Sequence, residues 1–303
     1  MPERVAIEAG VVAPLVMAVV VTFHPDASVL GALLERLAAE KVATIIVDNT
    51  PGGDPRAGEG AITLGRNTGV AHALNVGIAE AWRRGATHAL LCDQDSLPGP
   101  GMVAALLQAE DELLRRGAAV AAVGPSYVDF HSGGPRAFKV GGRILPRYVR
   151  PRMVDPAFDV LTLITAGMLM RRAMFDAIGG MRDELFIDRV DTEWCLRARR
   201  LGVLPYAVPS AALMQRMGER VLRFPGFPGI SVYAPERIYY QVRNLVFLWR
   251  EGTLGVGLTM VAAGNAFAVL AARLAAGPRR VDAVRFALRG FRDGLSGRLG
   301  ELR

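Results

Sequence analysis

The chain has 303 residues, 51% of them hydrophobic and 21% charged, which suits one large domain or two smaller ones and excludes a disordered or low-complexity chain. Thirty-six basic residues against 29 acidic ones leave a formal charge of +7, and only Lys41 and Lys139 are lysines. Arginine's planar fork suits phosphate and carboxylate partners, while neither zinc-finger spacing nor an RNA-binding aromatic signature points to nucleic acid.

Met1–Ala13 lacks the basic-then-apolar build of a signal peptide. Leu15–Phe23 is a valine-rich apolar run, as expected of a strand covered on both faces. Ala27–Glu40 carries Leu30, Leu33, Leu34 and Leu37 at helical spacing. Ala43–Val47 is a second strand, Thr68–Arg84 a helix, Thr87–Cys92 a strand, Gly101–Arg116 a helix and Ala118–Val123 a strand. Alternation of this period predicts a mostly parallel sheet with crossover helices. The pattern breaks from Phe130 to Asp159 into Gly, Pro and Arg, the composition of a long functional loop. Leu161–Met170 reads as a strand again and Arg171–Ile178 as a short helix stopped by Gly179-Gly180. Cys92 and Cys195 lie in apolar runs and form no disulfide framework, so both read as reduced core residues.

Ligands of parallel sheets bind beyond the carboxyl ends of the strands. Standing there are Thr22-Phe23-His24, Asp48-Asn49 and Asp93-Gln94-Asp95. Each cluster alone reads equally as turn or cap chemistry; the three together point to a polar site. Two carboxylates in Asp93-Gln94-Asp95 suit a hard cation bridged to a diphosphate. A second cluster, Asp188, Asp191 and Glu193, stands before or within the helix expected over Glu193–Leu201. Asp191 there is either that helix's N-cap or a general base for an acceptor hydroxyl. His72 and His88 fit helix and strand patterns and read as structural, whereas His24 stands at a strand end.

The pieces VVVTFHP, IIVDNT, LGRNTGVAHALNVGI, LLCDQDS, LITAGMLMRRAMFDAIGGM, ELFIDRVDTEWCLRARRLG and RIYYQVRN span roughly residues 16–250. Together they resemble the family 2 glycosyltransferases of GT-A fold, in particular the bacterial rhamnosyltransferase-like group. The resemblance implies an α/β GT-A domain over residues 14–250 that binds a nucleotide diphosphate sugar. It implies that Thr22, Asp48, Asn67, Gly69, Asp93 and Gln94 bind the nucleotide sugar, with Asp48 at the base. Ala166 and Gly167 would floor the donor and acceptor pocket, with Asp188, Glu193 and Trp194 beside it. Asp95 would hold Mg²⁺ or Mn²⁺, and Asp191 matches the catalytic base. One departure stands out: where the family carries a His-x-x-Gly whose histidine completes the metal site, this chain has Gln215-Arg216-Met217-Gly218. An amide oxygen is a weaker ligand than imidazole for a transition metal.

Residues 251–303 form a separate arm. Leu254–Ala276 holds no charge but Arg273, and from Gly277 to Arg303 seven arginines face three acids. That pairing suits an interfacial anchor on an anionic membrane, a helical hairpin packed on the catalytic domain or on a second copy in a homodimer, or, by the length of Leu254–Ala276, a membrane span that its glycines, alanines and Asn265 dilute. The sequence expectation is a cytoplasmic inverting transferase, peripheral on the inner face of the plasma membrane. It moves L-rhamnose from dTDP-L-rhamnose to a glycan or polyprenyl-linked acceptor. The alternative is a degenerate, non-catalytic nucleotide-sugar-binding homologue.

Overall fold

The computed structural model describes residues 13–129, 135–215, 220–222, 230–232, 234–276 and 279–302. The valine-rich run forms β1 (Val16–Thr22), with Ala18, Val19 and Val20 fully buried. Asp26 starts α1 (Ala27–Ala39) by accepting from the Ser28 and Val29 amides. Leu30, Leu33 and Leu37 then point into the core, each contributing about 2 kcal/mol of burial. Next come β2 (Ala43–Asp48), β3 (Ile62–Thr63), α2 (Val70–Arg83), β4 (His88–Asp93), β5 (Ser96–Pro98), α3 (Met102–Arg115) and β6 (Val120–Asp129).

The long connection folds into a hairpin of β7 (Phe138–Val140) and β8 (Arg147–Val149), then the short β9 (Phe158–Asp159). Phe138 anchors the hairpin, its ring 5.6 Å from Tyr127 and 5.8 Å from Phe158. The strand expected over Leu161–Met170 is confined to β10 (Leu169–Arg171). Gly167 at φ +78° turns the chain there, so only the residues beyond it reach strand geometry. Then follow α4 (Arg172–Ile178), α5 (Val190–Arg200) and β11 (Leu204–Gln215), a strand the sequence pattern did not suggest. A hairpin of β12 (Arg220–Leu222) and β13 (Ile230–Val232) precedes α6 (Pro235–Arg250), α7 (Val256–Ala276) and α8 (Arg280–Ser296).

The sheet runs β3-β2-β1-β4-β10-β6-β11-β5, with β9 also on β11. β1 pairs parallel with β2 and β4, and β6 pairs parallel with β11, as alternation predicts. β10 enters antiparallel between β4 and β6, and β5 and β9 add antiparallel edges to β11. The sheet is therefore mostly parallel on the β1 side and mixed beyond β4.

α8 lies along α6 through its small residues. A Cβ on Gly290 would meet the Tyr239 carbonyl at 2.5 Å, and one on Gly294 the Arg243 carbonyl at 2.6 Å. The large apolar residues of α8 (Val281, Leu288, Phe291) therefore face outward and stand more than half exposed. On α7, Val256, Met260 and Phe267 are likewise exposed. Val256–Ala275 is long and apolar enough to cross a membrane, with only 11% of its most apolar window buried.

Candidate functional site

The carboxyl ends of β1 and β2 carry a dense hydrogen-bonded network. Asp48, 1% exposed, accepts from the Thr22 hydroxyl (3.3 Å), the Thr50 amide (3.0 Å) and the Asp54 amide (2.6 Å). Its neighbour Asn49 accepts from the Thr68 amide (2.7 Å) and hydroxyl (3.0 Å), and donates to Asn67 (3.0 Å). Asn67 in turn accepts from the Gly69 amide (3.0 Å). Thr22, Asp48, Asn67 and Gly69 thus stand in one connected network, joined by Asn49 and Thr68. Asp54 donates nothing to its arginine neighbour but accepts from it, and the Arg56 guanidinium holds the Asp54 carboxyl down to about 2.

Gln94 leaves the end of β4 to pair with the Phe23 backbone, accepting from its N–H (2.7 Å) and donating to its carbonyl (3.2 Å). Those two bonds tie the β1 and β4 ends together, with Asp93 and Asp95 on either side. Gly167 donates its N–H to the Leu91 carbonyl (2.7 Å), which brings Ala166-Gly167 against β4 two residues before Asp93. Gln215 closes β11 with its backbone opposite Ser96, the residue after Asp95. The expected metal-ligand position is therefore one residue out of register with Asp95, and the Gln215 side chain and residues 216–218 lie outside the described residues. Among the described residues no group of three or more His, Cys, Asp or Glu is placed to hold a metal. Magnesium is commonly held by one or two carboxylates plus substrate phosphates. The oxygen donors of Asp93 and Asp95 fit that chemistry.

The second half of the site is the segment before α5. Helix α5 starts at Val190, and its N-cap residue is Arg189, which makes no side-chain cap. Asp191 is therefore not the N-cap that one reading of the sequence expected. Its Oδ1 accepts from the Thr192 amide (2.5 Å) and hydroxyl (3.2 Å). Burial pushes its carboxyl above the ordinary carboxylate range and Asp188 adds to this, while the Thr192 bonds and Lys139 oppose it. Burial lowers the Lys139 ammonium, and Arg189 presses it the same way. Burial likewise raises the phenol of Tyr127, which also feels both Asp191 and Asp93.

Asp188 has a different fate, held by Arg237 from α6 through Nε (3.1 Å to Oδ2) and Nη2 (3.1 Å to Oδ1). Glu193 and Trp194 are given to packing. Glu193 pairs with Arg197 at 3.0 Å, and the fully buried Trp194 donates its indole N–H to the Gly179 carbonyl at 2.9 Å. Cys92 and Cys195 are free and buried, their thiols pushed up to about 12 by burial, in line with reduced core residues. His88 pairs with buried Glu110 (2.8 Å) and His72 with Asp183 (2.8 Å), both structural roles.

The two halves meet at Gly69. A Cβ there would stand 2.6 Å from the Phe186 carbonyl, and its φ is +85°. Only glycine tolerates both conditions. A cavity of about 260 Å³ opens at this contact, lined by Asn67, Thr68, His72, Asp183, Phe186 and Gly300 among others. Sequence reasoning missed Lys139 and Arg189 beside Asp191, and Arg237, Arg243 and Asn244 on α6. The signal for the last two was present: Arg243 and Asn244 fall on the apolar, aromatic face of RIYYQVRN, where a solvated charge does not belong.

No family model matches the chain. The dTDP-rhamnosyl transferase RfbF of Shigella flexneri is 31% identical over 245 residues, 78% of this chain and 80% of that protein. Among solved structures, a crystal structure of GalNAc-T7 with UDP, GalNAc and Mn²⁺ superposes with a TM-score of 0.56 at 14% identity over 78% of this chain. The chain spans about half, 49%, of that protein's length, so the likeness is one of fold. A197 from STIV overlays at a TM-score of 0.43 with 11% identity, over 71% of this chain and 89% of that one, and carries no argument. The chain belongs to the family 2 glycosyltransferases of GT-A fold, in the bacterial rhamnosyltransferase-like group.

Proposed function

We propose that the protein transfers L-rhamnose from dTDP-L-rhamnose to a hydroxyl of a glycan or polyprenyl-linked acceptor, with inversion at the anomeric carbon. The observation that carries this reading is Asp191, a partly buried carboxylate in the first turn of α5 whose pKa burial raises and Lys139 opposes, in a segment that meets the strand-end network where Gly69 touches Phe186. The identity to a dTDP-rhamnosyl transferase supports the choice of donor.

The network around Asp48, Thr22 and Asn67 binds the base and sugar of the nucleotide, with Gly69 allowing the backbone to approach. Asp95, with Asp93 near it in sequence and Gln215 on the strand paired to the next residue, would hold Mg²⁺ or Mn²⁺; such an ion supplies charge neutralisation at the leaving diphosphate. Ala166-Gly167 floors the sugar. The acceptor oxygen attacks the anomeric carbon from the face opposite the diphosphate, Asp191 takes its proton, and the bond to the diphosphate oxygen breaks as dTDP leaves. A raised pKa suits this role, because a stronger base removes a hydroxyl proton more readily. Asp188 is neutralised by Arg237 and so is the poorer candidate base.

The exposed apolar faces of α7 and α8, with the arginines between them, dock the protein on the anionic inner face of the plasma membrane, where a lipid-linked acceptor resides. The test is a panel of nucleotide sugars with metal, read for transfer and for donor binding. Turnover selective for dTDP-L-rhamnose supports the reading. Binding without transfer to any acceptor favours the non-catalytic alternative.

A further inference from the structure

We infer that Arg243 and Asn244, with the C-terminal tail at Gly300, are positioning residues that hold the segment carrying the catalytic base in its working conformation. This rests on the reading of Asp191 as that base.

The segment needs holding. Phe186, Asp188 and Arg189 sit at φ 65°, 64° and 64°, left-handed values that non-glycine residues avoid. Aspartate tolerates that conformation better than most, but arginine does not, and a phenylalanine there is a true outlier. Such backbone persists only where its surroundings over-determine it.

The surroundings here are two side chains from α6, both fully buried. The Asn244 amide reaches the carbonyls of Leu185 (3.0 Å), Ile187 (2.8 Å) and Asp188 (2.8 Å). Arg243 Nη2 reaches the carbonyls of Leu185 (2.8 Å) and Glu184 (3.3 Å), and its Nε donates to Asn244 Oδ1 (2.9 Å). The same guanidinium lies 5.4 Å from the Tyr239 ring centroid and 4.9 Å from that of Tyr240. Tyr240 stacks on Phe186 at 5.0 Å. Arg237 then takes Asp188 by its side chain.

The tail closes the clamp. Arg243 Nη1 donates to the Gly300 carbonyl, and the Gly300 N–H donates to the Glu184 carbonyl (2.7 Å). Leu302 donates its amide to the Tyr240 hydroxyl (2.9 Å). The backbone carbonyls of residues 184, 185, 187 and 188 are thus held by one fork and one amide, and Asp191 follows three residues later. A catalytic group displaced by about 1 Å loses on the order of 10² in rate.

Two variants of the full chain test this. Asn244→Asp is isosteric but replaces the amide donors by a carboxylate facing three carbonyls. Gly300→Pro, in the partly exposed tail, removes the N–H that meets Glu184 and forbids φ +87° while leaving the buried pair intact. Both are expected to bind dTDP within about twofold of wild type, and to speed amide exchange of residues 184–191 at least about tenfold. Turnover should fall about 10²-fold in Asn244→Asp and about tenfold in Gly300→Pro, with KM for the donor little changed. Unchanged exchange in Gly300→Pro, or turnover and dTDP affinity falling in step, overturns the inference. Exchange needs no activity, so it decides the clamp even where wild type transfers no sugar, an outcome that would sink the transferase reading alone.

Discussion

The strand-end network around Asp48 and the segment before α5 both present carboxylates to the site, yet they are held by opposite means. Asp48 is satisfied by near neighbours, the amides of Thr50 and Asp54, and by Thr22 on the adjacent strand in register. Phe186, Asp188 and Arg189 carry positive-φ backbone, and their segment depends on α6 and on the last residues of the chain. A site can therefore join a part that any parallel sheet supplies to a part that exists only when distant elements close over it. The first suits a donor bound in much the same way by many enzymes; the second suits a base whose position sets the rate.

The comparison is broken most severely where the two parts touch. Gly69→Ala drives a Cβ into the Phe186 carbonyl and demands positive φ from a residue that resists it. We expect a loss of about 3 kcal/mol by chemical denaturation, since overpacking and strain add. A change below about 1 kcal/mol would show that the halves are not in contact. Asp48→Ala orphans the Thr50 and Asp54 amides and should weaken dTDP binding about 10- to 30-fold, near 2 kcal/mol, by calorimetric titration. The base segment should keep its exchange protection in this variant; loss of protection there would mean the two parts are not separately held.

A third prediction concerns the frame beneath both parts. Burial by itself raises the Glu110 carboxyl, but His88 and Arg171 outweigh it and leave the group below its ordinary value. A depressed carboxylate contributes stability that is full above its unfolded pKa and is lost as pH falls through its folded pKa. Wild type should accordingly lose stability below about pH 4, and Glu110→Gln should flatten that slope while lowering stability at neutral pH. Parallel melting curves from pH 3 to 7 would refute the pairing. The smallest effect belongs to the arm. Leu288→Ser with Phe291→Ser leaves the α6 face of α8 untouched and should reduce flotation with anionic vesicles several-fold. The residual electrostatic part should fade with salt. Unchanged flotation, or a fall in molecular mass by light scattering, would assign that face to a partner copy.

How much of this was legible follows the same division. Apolar runs ending in Thr22, Asp48 and Asp93 announced parallel strands and their polar ends, because alternation and strand-end chemistry are local signals. The antiparallel entry of β10 was not legible. It depends on a turn at Gly167 and on register with β4, a long-range match that periodicity does not encode. Asp191 was found in the sequence with two roles open, and the structure removed one by starting α5 at Val190. The purpose of Arg243 and Asn244 was hidden, since their partners are carbonyls nearly sixty residues away. Lys139 was anonymous inside a loop until its hairpin brought it beside Asp191.

The central claim is that Asp191 takes the acceptor proton in a transfer whose donor is held elsewhere. The direct test is Asp191→Asn, measured for transfer from dTDP-L-rhamnose and for dTDP affinity in the same preparation. The amide keeps the shape but cannot take a proton, so turnover should fall by roughly 10²–10⁴ while dTDP affinity stays within about twofold. A variant that keeps more than about a tenth of wild-type turnover would contradict the account and pass the proton to another group.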